Sequence, residues 1–225
     1  MTEWLVRARE LSRTYGSGES AVGAVRDATF DIRPQDRIAL VGPSGSGKST
    51  LLHLIAGLDE PTSGSIEWPG LGSAGSLRPG PVAVAFQGPS LMLPLTVLEN
   101  VALPLLLLDH SEPDALAAAG ALLERFGLQD LGSKLPEEIS GGQSQRAGLA
   151  RALAGRPTLV LADEPTGQQD GDTARAVLTT LFAAVADAGA ALVVATHDAR
   201  VARRLDTRWS MRSGRLDTGV AASSR

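Results

Sequence analysis

Cysteine is absent from this chain. Disulfides and thiolate metal sites are therefore excluded, and the compartment is left open but compatible with a reducing cytosol. Positive charge is not in excess: 21 Lys and Arg against 25 Asp and Glu give a formal net charge of −4. That argues against a nucleic-acid binder held by bulk electrostatics. Aromatic residues make up only 4%, and Tyr15 is the sole tyrosine. Long apolar runs are missing too. The longest, Val101 to Leu108, is broken by Pro104 and falls far short of the roughly 20 residues a spanning helix needs. Met1 to Arg7 lacks the apolar core of a secretory leader. What remains is a chain of 225 residues, 43% hydrophobic and 20% charged, enough for a substantial core in one or two domains.

The strongest local signal is Gly42-Pro43-Ser44-Gly45-Ser46-Gly47-Lys48-Ser49-Thr50. It fits G-x-x-x-x-G-K-[ST], a phosphate-binding loop. The apolar run Ile38 to Val41 leads into it as a buried strand, and Leu51, Leu54, Ile55 and Leu58 follow at helical spacing. Glycines let the backbone curl until several N–H groups face one anion. The helix that starts there adds its positive end. In this pattern Lys48 reaches the β- and γ-phosphates and the Ser49 hydroxyl takes one Mg²⁺ position.

Around this loop the spacing predicts a strand–helix core. Trp4 to Leu11 reads as an edge strand, Ala28 to Ile32 and Arg37 to Val41 as two more, and Trp68 to Pro81 as loop. Val82 to Phe86 is a short strand ending at Gln87. Val97 to Leu107 is apolar and helical in part. Ser111 caps a helix that stops at Gly127, with Pro113 and Asp114 in its first turn. Residues 88–157 thus read as a mostly helical insertion between 1–87 and 158–217, with a loose tail over 218–225. Another helix opens after Ser140 and runs to about Ala154. Thr158 to Ala162 is a buried strand, Asp172 to Ala188 an amphipathic helix, and Ala191 to Ala195 a further buried strand. Arg208 to Met211 and Arg215 to Asp217 form a closing hairpin.

Polar residues collect where these strands end, and that edge of an open α/β sheet is where ligands bind. Gln87 is either a solvated cap or an amide that completes a metal shell. Asp163-Glu164 point opposite ways along the chain, so one carboxylate can hold Mg²⁺ while the other contacts a water. His197 can donate to a phosphate oxygen. Ser140-Gly141-Gly142-Gln143 is either a second anion site at a helix start or a plain N-cap. Tyr15 is either a half-buried core ring or a face for a base to stack on.

The ordered set resembles the nucleotide-binding subunits of ATP-binding-cassette transporters over about Leu5 to Leu216. The resemblance implies an α/β fold: a mostly parallel P-loop core with N-terminal antiparallel strands and an inserted helical subdomain. It also implies roles: Tyr15 stacks adenine, Gly42 to Thr50 are Walker A, Gln87 is the Q-loop glutamine, Ser140 to Gln143 are the signature, Asp163 is the Walker B metal carboxylate, Glu164 the catalytic base, Asp170 the D-loop aspartate and His197 the switch histidine. Leu93 to Pro104 and Ala162-Asp163-Glu164-Pro165-Thr166-Gly167 are similar to the ATPases of macrolide exporters, lipoprotein-release complexes and the cell-division ATPase. By that likeness the cofactors are ATP and Mg²⁺. The partners are a second copy, sandwiching two ATP, and a separate integral membrane permease at the cytoplasmic face of the cell membrane, with no nucleic acid. The expected activity is ATP hydrolysis that drives export or extraction of a hydrophobic substrate or lipoprotein.

The chain departs from the family pattern in places. Ile139 replaces Leu before Ser140, Gln35-Asp36 stand where Gly-Glu is common, Gly88-Pro89 follow Gln87, and Gln168-Gln169 precede Asp170 where Asn-Leu is usual. The competing functions are a P-loop GTPase or kinase, a cassette ATPase without a transport role, a catalytically dead nucleotide-gated module, and a complex that transmits force across the envelope. The single asparagine, Asn100, is followed by Val101, so a guanine-reading Asn-Lys-x-Asp is ruled out.

Overall fold

The computed structural model describes residues 3–88, 90–167, 169 and 171–219. In chain order the elements are β1 (Val6–Tyr15), β2 (Val22–Ile32), β3 (Arg37–Val41), α1 (Lys48–Ile55), β4 (Ser63–Glu67), β5 (Val82–Ala85), α2 (Val97–Leu106), α3 (Glu112–Arg125) and α4 (Gly141–Ala154). There follow β6 (Leu159–Asp163), α5 (Gly171–Asp187), β7 (Ala191–Thr196), α6 (Ala199–Ala202), β8 (Thr207–Arg212) and β9 (Arg215–Asp217). They fall into two compact units. The first runs to Leu77 and resumes at Ala191; the second is Arg78–Ala190. The second is wider than the helical stretch 88–157, because β5, β6 and α5 belong to it.

In the first unit the strands lie in the order β4-β1-β2-β9-β8-β3-β7. β3 runs parallel to both β7 and β8, whereas β1 pairs antiparallel with β2 and β4. Every residue of β7 and four of the five in β3 are buried. Parallel strands covered on both faces need such unbroken apolar runs. α1 packs against β2 and β7 and buries Leu51, Leu52, Leu54 and Ile55. Each such side chain removed from water contributes about 1.5–3 kcal/mol. Phe30 and Trp209 stack at a tilt, ring centroids 5.1 Å apart.

Two expectations change here. β1 is not an edge strand; β4, which begins at Ser63-Gly64, lies outside it. The stretch from Trp68 to Pro81 is not plain loop either. It buries Leu71 and Leu77, contains a short 3₁₀ turn at Ala74–Ser76, and Trp68 Nε1 donates to the Ile55 carbonyl at 2.8 Å. Glycine and proline content hid two leucines too far apart to show a period.

In the second unit β5 and β6 pair in parallel. α2, α3 and α4 pack on one another, and α4 also meets β5 and α5. Sequence-level caps hold: Ser111 Oγ accepts from the Asp114 N–H, with Pro in the first turn of α3. A capping box escaped the sequence reading. Thr96 Oγ1 accepts from the Glu99 N–H at 3.2 Å, and Glu99 Oε2 accepts from the Thr96 N–H at 2.7 Å, which fixes the start of α2.

Candidate functional site

Within the first unit, strand register brings the phosphate loop and His197 to one edge. Val41, the last residue of β3, pairs with Thr196, the last of β7. Gly42 and His197 are the next residues on each strand, and His197 is exposed. Asp198 behind it caps α6, accepting from the Arg200 N–H at 2.7 Å. Its carboxylate is held below the usual range by the Arg200 side chain first, then by that backbone N–H.

The loop itself is held by contacts from distant strands. Gly47 sits at φ 105°, and a Cβ there would collide with the Ala24 carbonyl oxygen. Gly214, in the β8–β9 turn, donates its N–H to the Ser46 carbonyl at 3.0 Å. A Cβ at Gly42 would strike the Met211 carbonyl. So the closing hairpin braces the loop, a role its sequence did not signal. Lys48 opens α1 and is 7% exposed. Its Nζ donates to the carbonyls of Gly42 at 2.9 Å and Pro43 at 3.1 Å, so the ammonium is folded back over the loop's own mouth. The Ser46 hydroxyl is buried with no hydrogen-bond partner among the described residues. Pro43, Ser44, Gly45 and Ser49 are exposed, and Thr50 is half-buried.

Tyr15 ends β1 and is 41% exposed, so it is not a core ring. Its hydroxyl donates to Asp59 Oδ2 at 2.6 Å, and the Arg13 guanidinium lies over the ring, 4.6 Å from its centroid. Burial pushes the Asp59 carboxyl up, but the bonds from Tyr15, from the Glu60 N–H and from Arg13 outweigh it and hold the carboxyl below its ordinary range. Neither Arg13 nor Asp59 carries a sequence signal, since they meet across 46 positions.

Within the second unit, Ala85 pairs with Ala162. Gln87 and Glu164 each lie two residues further on, so register places both beyond the same ends of β5 and β6. Gln87 is exposed; Asp163 and Glu164 are 7% and 8% exposed. Glu164 adopts φ 46°, uncommon for a residue with a long side chain. Two bonds fix it there. Its carbonyl accepts from the Gly167 N–H at 3.0 Å and from Gln145 Nε2 at 2.9 Å.

Ser140 is the N-cap of α4: its Oγ accepts from the Gln143 N–H at 3.2 Å, and Gln143 Oε1 accepts from the Ser140 N–H at 2.8 Å. Gly141 and Gly142 begin the helix. Gln169 Nε2 donates to the Gly142 carbonyl at 2.7 Å and lies 3.3 Å from Gln145 Oε1. A polar chain therefore joins the start of α4 to the backbone of Glu164 through Gln169, noted in the sequence only as a departure from the family pattern, and Gln145, which the sequence reading passed over. Asp170 lies outside the described residues.

Asn100 was also missed. Fully buried, it accepts from the Met92 N–H at 2.7 Å and donates at 3.0 Å to the carbonyls of Met92, Leu95 and Thr96. Its signal was available: a lone amide in an apolar helix has to be satisfied. Arg151 pins the same segment further back, donating to Ser90 O at 2.7 Å and to Ser90 Oγ at 2.8 Å; burial pushes its guanidinium pKa down. Between these two anchors Met92 and Leu93 are left 49% and 66% exposed.

The side chains that the sequence reading offers to a metal are the Ser49 hydroxyl in the first unit and, in the second, the Gln87 amide oxygen and the Asp163 carboxylate. An oxygen-only set suits a hard divalent ion such as Mg²⁺ rather than zinc or copper. Among the described residues there is no cluster of three or more His, Cys, Asp or Glu that could hold a metal ion.

A glycine loop between a buried parallel strand and a helix in the first unit, and a carboxylate pair at the end of β6 in the second, are the marks of a mixed α/β P-loop ATPase. The chain belongs to the ABC transporter family, whose model matches residues 25–167, and it is an ATP-binding, ATP-hydrolysing cassette of that family. An ABC transporter ATP-binding protein of Mycobacterium tuberculosis is 39% identical over 223 residues, covering 96% of this chain and 90% of that protein. The lipoprotein-releasing system ATP-binding protein LolD of Hydrogenovibrio crunogenus is 38% identical over 221 residues, covering 95% and 96%. An ATP-binding cassette solved as a dimer in a post-hydrolysis state, with ADP and phosphate bound, superposes with a TM-score of 0.88 at 31% identity, covering 96% of this chain and 99% of that one. The cbiO1 protein of Clostridium perfringens, part of the ABC transporter complex cbiONQ, gives 0.81 at 25% identity, covering 96% and 88%. Among the described residues no helix is long and apolar enough to cross a membrane.

Proposed function

We propose that this chain pairs with a second copy around two ATP molecules and powers a separate membrane permease for export or extraction of a hydrophobic substrate or lipoprotein. The observation that carries this reading is the shared edge. β3 and β7 end in register at Val41 and Thr196, which sets the phosphate loop beside His197. The likeness to lipoprotein-releasing ATPases supports the direction of transport, and the dimeric cassette with ADP and phosphate supports the pairing.

In this reading the N–H groups of Gly42 to Thr50 cradle the phosphates, and Lys48 swings from the Gly42 and Pro43 carbonyls onto the β- and γ-phosphates. Tyr15 carries the adenine. Mg²⁺, when bound, spreads phosphate charge; Ser49, Gln87 and Asp163 are its protein ligands. Glu164 orients and deprotonates the attacking water, and His197 holds the γ-phosphate. Most of the barrier reduction is positioning and charge neutralisation. Ser140 to Gln143 of one copy close on the ATP held by the other, and Asp170 couples the two sites. Residues 88–157 form the helical subdomain of one ATP-binding domain. The segment from Gln87 to Leu95 receives the permease, presenting Met92 and Leu93 from a backbone pinned by Asn100 and Arg151. The complex works at the cytoplasmic face of the cell membrane and needs no nucleic acid.

The pairing is tested with Glu164→Gln loaded with ATP. Size-exclusion chromatography with light scattering should report a dimer that Ser140→Arg abolishes. A protein that stays monomeric with ATP, even beside its membrane partner, refutes the sandwich. Because the chain has no native cysteine, single cysteines at the exposed Met92 or Leu93 give clean crosslinks. Failure of both to reach any membrane protein counts against the docking segment.

A further inference from the structure

One carboxylate in the first unit gathers donors from two separate parts of the chain. Asp59 follows the end of α1, the helix that opens with Lys48, and its side chain is 18% exposed. Arg13 grips both of its oxygens: Nη2 approaches Oδ1 at 2.7 Å and Nε donates to Oδ2 at 3.0 Å. The Tyr15 hydroxyl shares Oδ2 at 2.6 Å, and the Glu60 N–H donates to Oδ1 at 2.8 Å. The same guanidinium that holds Asp59 covers one face of the Tyr15 ring.

A phenol side chain at a strand end has two free torsions, and stacking a ligand on it costs the entropy of freezing them. Here the ring is fastened at its tip and backed on one face. A single orientation and a single open face remain. Asp59 lies in the turn after α1, which is bonded back to the helix by the Gly57 N–H to Leu54 O at 3.0 Å and the Leu58 N–H to His53 O at 2.8 Å, so the ring is tied to the helix that opens with Lys48.

We propose that Asp59, together with Arg13, is a positioning residue for the nucleobase: it holds Tyr15 as a pre-ordered platform set at a fixed place relative to the phosphate loop. This rests on the reading of Tyr15 as the adenine-stacking residue. The contribution reaches the base and not the phosphates, which separates it from a clamp that merely joins β1 to the turn after α1.

The test compares binding of MgATP and of magnesium tripolyphosphate, which lacks a base, by calorimetry on the full chain. Asp59→Ala should raise the Kd for ATP about three- to tenfold, part of what a base–aromatic stack is worth, and leave tripolyphosphate unchanged. The loss should appear in KM and not in kcat. Tyr15→Phe, which keeps the ring and removes its anchor, should match Asp59→Ala, and the double variant should be no worse than either. As Tyr15 is the only tyrosine, its Raman doublet reports the hydroxyl's bond directly and should change in Asp59→Ala. Equal weakening of tripolyphosphate, or a Tyr15→Phe protein that binds ATP normally while Asp59→Ala does not, overturns the proposal. Tyr15→Leu separates the two layers. If it binds ATP normally, the platform reading itself fails. If it alone weakens ATP, the platform stands and the positioning role falls.

Discussion

Two glycines in one loop should respond very differently to the same methyl group. Gly45 and Gly47 both have positive φ, 73° and 105°. Around Gly45 nothing lies within 4 Å of an added Cβ, so Gly45→Ala carries only the backbone term, about 1–2 kcal/mol for a left-handed residue. At Gly47 the Cβ meets the Ala24 carbonyl, a backbone atom of β2 that cannot rotate away; the Met211 methyl, also close, can. Backbone strain of about 1–3 kcal/mol and overpacking of about 1–3 kcal/mol then add to roughly 2–6 kcal/mol, a large part of the about 5–15 kcal/mol a domain has. Urea unfolding followed by circular dichroism reads this directly. With a slope of about 1–3 kcal/mol per molar, the midpoint of Gly47→Ala should fall by about 2 M, and that of Gly45→Ala by less than about 1 M. Equal midpoints for the two variants refute the claim that contact with β2, and not loop conformation alone, demands glycine at 47.

The remaining predictions concern chemistry, packing and acid. Glu164→Gln should keep ATP binding and lose turnover by roughly 10²–10⁴-fold in a phosphate-release assay; undiminished ATPase refutes its role as base. Lys48→Ala should instead weaken nucleotide binding itself, which titration with ATP checks. Asn100→Leu removes the side-chain partner of the Met92 N–H and of the Leu95 carbonyl, at about 1–3 kcal/mol for each group left unsatisfied, while the Met92 and Thr96 carbonyls keep the N–H bonds from Leu95 and residue 100; faster proteolysis within 92–96 should accompany the lost stability. Glu99 is held below the usual carboxylate range by the Thr96 hydroxyl first and then the Thr96 N–H. A depressed folded pKa means its contribution is present at neutral pH and lost as pH falls below about 4.3. Glu99→Gln should therefore flatten the acid side of the stability profile, and an unchanged profile refutes the assignment.

Much of this protein was legible one residue at a time. The phosphate loop is a local device: its glycines, its lysine and the strand and helix beside it are contiguous, so the sequence carries the whole motif. Strand-end polar residues such as Gln87, Asp163, Glu164 and His197 were legible for a similar reason, since an apolar run that stops abruptly shows where a parallel strand surfaces. Helix starts at Ser111 and Ser140 follow from short-range hydrogen bonds that need only three residues.

What the chain alone did not disclose depends on contacts between distant segments. Nothing near Gly47 says that Ala24 will press against it, nor near Tyr15 that Asp59 will fasten it. β4 forms because β1 offers it a ladder, although its own residues favour a turn, and the same pairing turns β1 from an edge into an interior strand. Gln169 departs from the family pattern, yet its amide reaches Gly142 and so ties the loop after Glu164 to the start of α4. Local preference decides which atoms are capable of the chemistry; packing across the sheet and between helices decides how firmly, and at what angle, they are held.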